Sequence, residues 1–356
     1  MTTTVLDEAY QRFHRTGPEF DGDEEGNNGL TNHGPMAVEV LVRRGHADGV
    51  HRWIDAYLRR LEEMPRPTDP VTDQTWRDAL GDGRRIGDWT AYFTRQVAEQ
   101  PWRDVLVTWW PRLLPGILAG ATHGVIRVGH AVRTLLGGDE SPAAVTELAH
   151  GLAFWAGRSR VLSGVRPPAG TLSPAAALQG VPHLPDQSGL IVHRMGRLAA
   201  VPGWPAAVAA LRPPAGDDDV PELLAELVGA ATLRYLGHGH GSPVLLVHTA
   251  TAPNAVLHTL PVLPRTLWAP SLTAVWSASA AIVAAYEPAA GAPRDALPSA
   301  PVGSDPRDEV LARAAAHGDE HVIKFSDTAA EIYDRTGEPD LLAAAVHASA
   351  LIQPRS

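Results

Sequence analysis

The sequence predicts a mainly α protein, a single large helical domain over residues 1–356 with long Pro/Gly-rich connections. Apolar residues recur at helical spacing through most of the chain, and β-branched alternating runs bounded by turns are scarce. No repeat at a fixed period is found. With 356 residues and 44% hydrophobic content, the chain is long enough for one large core or two closely packed ones.

The early helices are read from "PMAVEVLVRRG", "GVHRWIDAYLRRLEEM" and "TDQTWRDALGDGRRIGDWTAYFTRQVAEQ", the last broken near Gly81 to Gly83. "PWRDVLVTWWPRLLPGILAGATHGVIRVGHAVRTLL" and "SPAAVTELAHGLAFWAGRSRVL" follow, the second opened by Ser141 as N-cap and Pro142 in the first turn. These helices are rich in small residues, which permits close packing. From about 164 to 190, "VRPPAGTLSP" and "VPHLPDQSG" predict an irregular excursion over the surface or a lid. The helical pattern resumes in "DVPELLAELVGAATLRYLG", "SPVLLVHTATAPNAVLHTL" and "SLTAVWSASAAIVAAYE". A second Pro/Gly-rich connection, "PAAGAPRDALPSAPVGSDP", leads to "RDEVLARAAAHGDEHVIKFSDTAAEIYDRTG" and a last helix, "PDLLAAAVHASALI".

Composition narrows the chemistry. Cysteine is absent, so disulfides, thiolate ligands and a cysteine nucleophile are excluded, and any metal is held by nitrogen or oxygen. A formal charge of −10, with arginines dispersed among carboxylates, argues against a nucleic-acid partner. No stretch reads as long and apolar enough to span a membrane. The N-terminal "MTTTVLDEAYQRFHRTGPEF" lacks a basic segment followed by an apolar one, so a cytoplasmic location and no membrane partner are expected. The sequence specifies no oligomeric state. Sixteen histidines and ten tryptophans are the unusual counts; they supply imidazole ligands and large aromatic walls.

Lys324 is the one lysine of a chain whose other basic positions are all arginine. On a solvated surface the two residues are interchangeable, but only lysine can lose its proton and react when buried. Lys324 is therefore either a chance survivor on a solvated helix face or a reactive amine. With His317 and His321 it falls within an arc of roughly 60° at about 100° per residue, Gly318 tending to detach His317. His123, Arg127 and His130 repeat those offsets in "ATHGVIRVGHAV". His33 stands before Gly34 and Pro35 at a helix mouth, and His248 lies in an apolar helix beside Thr249 and Thr251. A histidine on an apolar helix is also commonly a hydrogen-bonded core residue, and the glycine-flanked His238 and His240 read as a helix end and a solvated turn. Neither a dinucleotide fingerprint, a G-x-S-x-G elbow nor a phosphate-binding loop is present.

In this order, "NHGPM", "HGVIR", "VHTAT" and "HVIKF", spread from residue 33 to 324, resemble the motifs of the questin oxidase-like family, and the resemblance covers about residues 8 to 350. Its best-known members are fungal enzymes of anthraquinone metabolism that open a quinone ring. The resemblance implies a Baeyer–Villiger-type oxygenase of secondary metabolism that uses NADPH, and a non-haem iron held by four histidines and a carboxylated lysine. Residue by residue, it implies His33, His123, His248 and His321 as imidazole ligands and Lys324 as the carboxylated lysine. His317, His258 and His130 compete for the fourth histidine position. Arg127 stands near "HGVIR", where fungal members often carry a second aromatic or histidine.

The chemistry of the lone lysine agrees with this. A desolvated amine that has lost its proton captures carbon dioxide as a carbamate, an anionic oxygen ligand that offsets the charge of a divalent metal among neutral imidazoles. The expected function is an Fe(II)-dependent oxygenase that cleaves a carbon–carbon bond of an aromatic polyketide or anthraquinone-like quinone or hydroquinone with dioxygen. Lys324 and Arg127 are the expected catalytic residues, and Trp109, Trp155, Tyr235 and Trp276 the candidate substrate wall, with Trp110 and Trp268 as further aromatic candidates. With no recognisable nucleotide fold, NADPH is expected as a reductant of the substrate and no cofactor-binding residue is assigned. Two alternatives remain: a divalent-metal hydrolase using a carboxylated lysine, and a non-catalytic helical binding protein.

Overall fold

The computed structural model describes residues 4–19 and 31–354; Met1–Thr3 and Phe20 of the N-terminal stretch read above lie outside them. Helices dominate as expected, and the described strands form a two-stranded antiparallel sheet. A β/α barrel, on which the hydrolase alternative leans, is not present among the described residues. The backbone divides into two compact units, Met1–Val161 and Leu162–Ser356.

The first unit runs α1 (Val5–Phe13), β1 (Thr16–Glu19), α2 (Gly34–Arg43), α3 (Val50–Tyr57), β2 (Leu61–Glu63), α4 (Trp76–Ala79), α5 (Ile86–Glu99), α6 (Trp102–Leu113), α7 (His123–Leu136) and α8 (Pro142–Gly157). Ser141 caps α8 by accepting from the Ala144 N–H, with Pro142 in the first turn, as the sequence indicates. Buried on nearly every side from Ala143 to Gly157, α8 is the central helix of this unit, with α5 and α7 as its main neighbours. Its approach to α7 depends on glycine: a Cβ on Gly124 would lie 2.8 Å from Trp155 Cβ, and one on Gly151 3.3 Å from the Val128 nitrogen.

One early helix is shorter than its sequence pattern. The tail of "GVHRWIDAYLRRLEEM" leaves the helix after Tyr57, and Leu61–Glu63 pairs with β1 in the register Thr16 to Glu63 and Glu19 to Leu61. Pairing with a distant strand overrides the local helical preference. The break foreseen near Gly81 is present, with φ +77° at that glycine between α4 and α5.

The second unit comprises α9 (Pro174–Gln179), α10 (Ile191–Arg197), α11 (Trp204–Ala209), α12 (Val220–His238), α13 (Pro243–Leu246), α14 (His248–Thr259), α15 (Trp268–Tyr286), α16 (Pro306–His317), α17 (Glu320–Thr336) and α18 (Pro339–Leu351). Its core is α12, α14 and α15, with α17 and α18 packed on α12. The excursion at 164–190 is largely irregular, interrupted by short α9. The pattern read as one segment from Arg307 to Gly337 is two helices, because Gly318 adopts φ +80° and Asp319 caps a new helix.

The membrane expectation is corrected here. Arg265–Tyr286 forms a helical segment of 22 residues with an 18-residue window of mean hydropathy 1.4, long and apolar enough by composition to cross a membrane. The sequence reading started it only at Ser271, whereas Pro270 fits the first turn, where its missing N–H has no intrahelical acceptor to lose. In the structure 67% of that apolar window is buried, with α14 as the main neighbour of α15, as in a core helix.

Candidate functional site

In the first unit the geometry converges on two imidazoles. His33 precedes α2, and His123 opens α7; both are buried, and their Nε2 atoms stand 2.8 Å apart with the rings nearly perpendicular. Each ring is held from behind at Nδ1. The His33 Nδ1 lies 2.6 Å from Glu19 Oε1, and the same carboxylate accepts from the Tyr57 hydroxyl and, at 2.8 Å, from Arg60. A carboxylate facing a guanidinium and a phenol is ionised and acceptor-only, so His33 Nδ1 carries the hydrogen. The His123 Nδ1 faces the Gly120 carbonyl, which can only accept, so it too carries a hydrogen. When neutral, both rings therefore present an Nε2 lone pair, and two such acceptors aimed at one point call for a cation, either a shared proton or a metal ion.

The local backbone shows what holds this arrangement. Tyr57, the last residue of α3, also accepts the His33 backbone N–H at 2.6 Å, and the β1–β2 pairing brings Glu19 beside Tyr57 and Arg60. Before His123 the chain makes a left-handed run of three, Gly120 at φ +52°, Ala121 at +56° and Thr122 at +73°. For the two non-glycine residues this conformation costs about 1–2 kcal/mol each. The strain stands directly before the histidine whose orientation it sets.

In the second unit His248 opens α14 and His321 is the second residue of α17; their ring centroids are 5.5 Å apart at 66°. Lys324 follows one turn along α17 and is 1% exposed. Asp319 caps this helix, accepting from the backbone N–H of His321 at 2.9 Å and of Val322 at 3.3 Å. His321 Nδ1 is 3.6 Å from Asp319 and 3.8 Å from Glu320, and these three side chains bring ligand-capable atoms within 4.8 Å of one another. Burial and then the Lys324 ammonium hold the His321 pKa below the ordinary imidazole value against both carboxylates. His321 is thus neutral, the form a metal takes.

The competing histidines are engaged elsewhere. His130 binds Glu39 at 2.8 Å together with Arg133, His258 lies 2.9 Å from Glu331, and His317 reaches the Ile352 carbonyl at 3.0 Å from the end of α16. Arg127 makes a buried two-point pair with Glu147, Nε at 2.5 Å and Nη2 at 2.9 Å. Trp109 is enclosed by Trp76, Trp89, Tyr92 and Phe93; Trp155 packs on Trp110 and donates to the Gly116 carbonyl. Trp276 donates to the Val208 carbonyl, and Tyr235 packs on Phe325 while its hydroxyl donates to the Pro243 carbonyl. The structure thus places all four aromatic residues in packing. Glu19, Tyr57, Arg60, Asp319 and Glu320 escaped the sequence reading; only Asp319, an aspartate after a glycine at a helix start, carried a legible signal.

A histidine pair with both Nδ1 atoms secured, on a helix opening "HGVIR", is where the sequence resemblance becomes testable. Residues 46–156 match the Questin oxidase-like family model. The matched segment runs from the turn before α3 almost to the end of α8 and includes His123, Arg127 and Trp155. It is the family whose motifs the sequence resembles, and the match points to an oxidoreductase of oxygenase type. No curated protein matches the chain.

Proposed function

We propose that this protein is a non-haem iron-dependent oxygenase that cleaves a carbon–carbon bond of an aromatic polyketide or anthraquinone-like quinone or hydroquinone, with dioxygen as co-substrate. The ligand set is His33, His123, His248, His321 and carboxylated Lys324. The observation that carries the reading is the His33–His123 pair, with Nε2 atoms 2.8 Å apart and both Nδ1 atoms bound to acceptors. Two nitrogens roughly at right angles and about 2.1 Å from one ion are about 3 Å apart, so the pair fits a metal without rearrangement.

When bound, a ferrous ion supplies the redox chemistry toward dioxygen. The chain's own residues do the rest. Glu19 and the Gly120 carbonyl fix the ring orientation and tautomer of His33 and His123, which raises their basicity as ligands. The deprotonated form of the buried Lys324 amine adds to carbon dioxide, releases a proton and becomes an anionic carbamate. Arginine cannot form that group. NADPH acts ahead of this enzyme by reducing the quinone, so no nucleotide site is required of the chain.

Elemental analysis of anaerobically purified protein, beside Lys324→Arg and His123→Ala, tests the reading. About one iron per chain, dependent on bicarbonate and lost in both variants, is expected. Wild type that takes up no metal after reconstitution with ferrous ion and bicarbonate would sink it.

A further inference from the structure

Two buried polar side chains of the first unit face one cleft. His150, on α8, is 6% exposed and stacks on His14 with ring centroids 4.5 Å apart. That contact covers a face of the imidazole, and neither ring nitrogen makes a hydrogen bond among the described residues. Arg127, on α7, is 5% exposed and holds Glu147 through Nε at 2.5 Å and Nη2 at 2.9 Å. Its Nη1 makes no hydrogen bond among the described residues. Buried polar atoms are nearly always hydrogen-bonded, so both groups call for a ligand or a water.

Both line a cleft of about 20 Å³, which admits one water-sized group, so a single oxygen atom there meets both. The other polar side chains of the lining are already engaged. Asn32 donates to the Thr16 hydroxyl at 3.1 Å and accepts the Gly34 N–H at 3.0 Å, and the hydroxyls of Thr16 and Thr90 each donate to a carbonyl at 2.8 Å. Pro18, Met64, Ile86 and Phe154 give the cleft an apolar rim suited to a ring edge. Pro18, Ile86 and Phe154 also border a cavity of about 460 Å³, within the range of pockets that hold small organic molecules.

The surroundings of His150 fix its role. Burial, then His14 and Arg127, hold its pKa well below the ordinary imidazole value against the pull of Glu147. His150 is therefore neutral, with a hydrogen on one nitrogen and a lone pair on the other. A guanidinium at the same cleft favours the tautomer whose lone pair faces it. Arg127 Nη1 can only donate. A donor and an acceptor around one oxygen's width match a hydroxyl group, whose oxygen receives from Arg127 and whose hydrogen goes to His150. A carbonyl oxygen leaves the imidazole lone pair unmet, and a methyl ether brings an extra carbon and no hydrogen.

We infer that the cleft between Arg127 and His150 is a hydroxyl-recognition subsite, which binds a phenol or hydroquinone ring by its O–H and rejects the corresponding quinone and methyl ether. The proton stays on the ligand, because His150 is too weak a base to take it and acts as an acceptor that sets orientation. That the bound ring is the substrate rests on the oxygenase reading; that a hydroxyl binds here does not. Within that reading the ring enters in its reduced form, and Arg127, one helical turn beyond His123 on α7, holds it on the side of the histidine pair.

The test is calorimetric titration, under argon, of 1-naphthol, 1-methoxynaphthalene and 1,4-naphthoquinone into metal-free and iron-loaded protein. Naphthol is expected to bind about 10-fold or more tightly than either analogue, the discrimination of a site built around a hydroxyl. His150→Leu should bring naphthol and the ether within about 2-fold of each other, while His150→Gln, which keeps an acceptor, should retain the preference. Iron content should stay unchanged in both. If His150→Leu does not fold, wild-type protein labelled with ¹⁵N-histidine decides: naphthol should shift an imidazole nitrogen signal that the ether leaves in place and that is missing from His150→Gln. Equal affinity for naphthol and the ether, quinone binding as tight as naphthol, an unchanged preference in His150→Leu, or no naphthol binding overturns the inference and leaves a cleft that holds water only. Selective naphthol binding by protein that takes up no metal upholds the subsite and removes the oxygenase reading; iron-loaded protein with no preference does the reverse.

Discussion

Replacing Glu19 with Gln tests the tautomer argument at its origin. The carboxylate receives His33 Nδ1–H and Tyr57 O–H at Oε1 and Arg60 at Oε2, so every contact requires an acceptor. A glutamine offers one acceptor and one donor. If its oxygen faces His33, its NH₂ opposes the Arg60 guanidinium, whose partial exposure lets water absorb much of the loss. If the oxygen faces Arg60, the NH₂ meets His33 Nδ1 and drives His33 to its other tautomer. An Nε2–H then points at His123 and the pair becomes an ordinary hydrogen bond that excludes a metal. Loss of such an outer-shell partner typically weakens metal binding 10–100-fold, about 1.4–2.7 kcal/mol. The assay is ferrous-ion affinity by chelator competition under anaerobic conditions, with guanidinium unfolding of the metal-free protein in parallel. The Gln variant should bind iron at least 10-fold more weakly while metal-free stability changes by only about 1–2 kcal/mol. Iron binding as tight as wild type would refute the assignment of Glu19 as the residue that sets the His33 tautomer.

Further outcomes follow from the same geometry. Thr122→Gly relieves a left-handed β-branched residue, so the unfolding free energy should rise by up to about 1 kcal/mol after the added unfolded-state entropy; iron affinity should fall as the turn before His123 softens. Gly124→Ala places a methyl 2.8 Å from Trp155 Cβ and Cγ and 2.9 Å from its Cα. Overpacking of about 1–3 kcal/mol should exceed the roughly 1 kcal/mol of helix propensity gained, seen as lower urea stability and altered tryptophan emission. Burial pushes Glu147 up, but Arg127 and His14 outweigh it and bring its pKa from 4.5 down to about 2. A carboxylate depressed on folding contributes fully above pH 4.5 and loses that contribution as pH falls toward 2, on the order of 3 kcal/mol. Denaturant melts across that window should slope steeply in wild type and lose that component in Glu147→Gln.

Part of this protein was legible before its coordinates. The helical class came from apolar periodicity, the start of α8 from Ser141 and Pro142, the break between α4 and α5 from Gly81, and the weak point after His317 from Gly318. These features depend on a few neighbouring residues, because helix hydrogen bonds, caps and left-handed glycines act over a span of about four positions. The lone lysine and the missing cysteines likewise constrained the chemistry through composition alone.

Other features belong to the tertiary structure. Glu19 meets His33, Tyr57 and Arg60 across 14, 38 and 41 positions of sequence, and only the pairing of β1 with β2 brings it there. Helical offsets made Arg127 and His130 look equivalent to ligands, yet Glu147 and Glu39 claim them from other helices. Tryptophans that could have lined a pocket are enclosed by packing, which no periodicity distinguishes from a ligand wall. Sequence determined which elements form, because their energetics are local. Which nitrogen carries a hydrogen, which carboxylate stays charged and which arginine faces a cavity depend on desolvation and distant partners, and these exist only once the chain has folded.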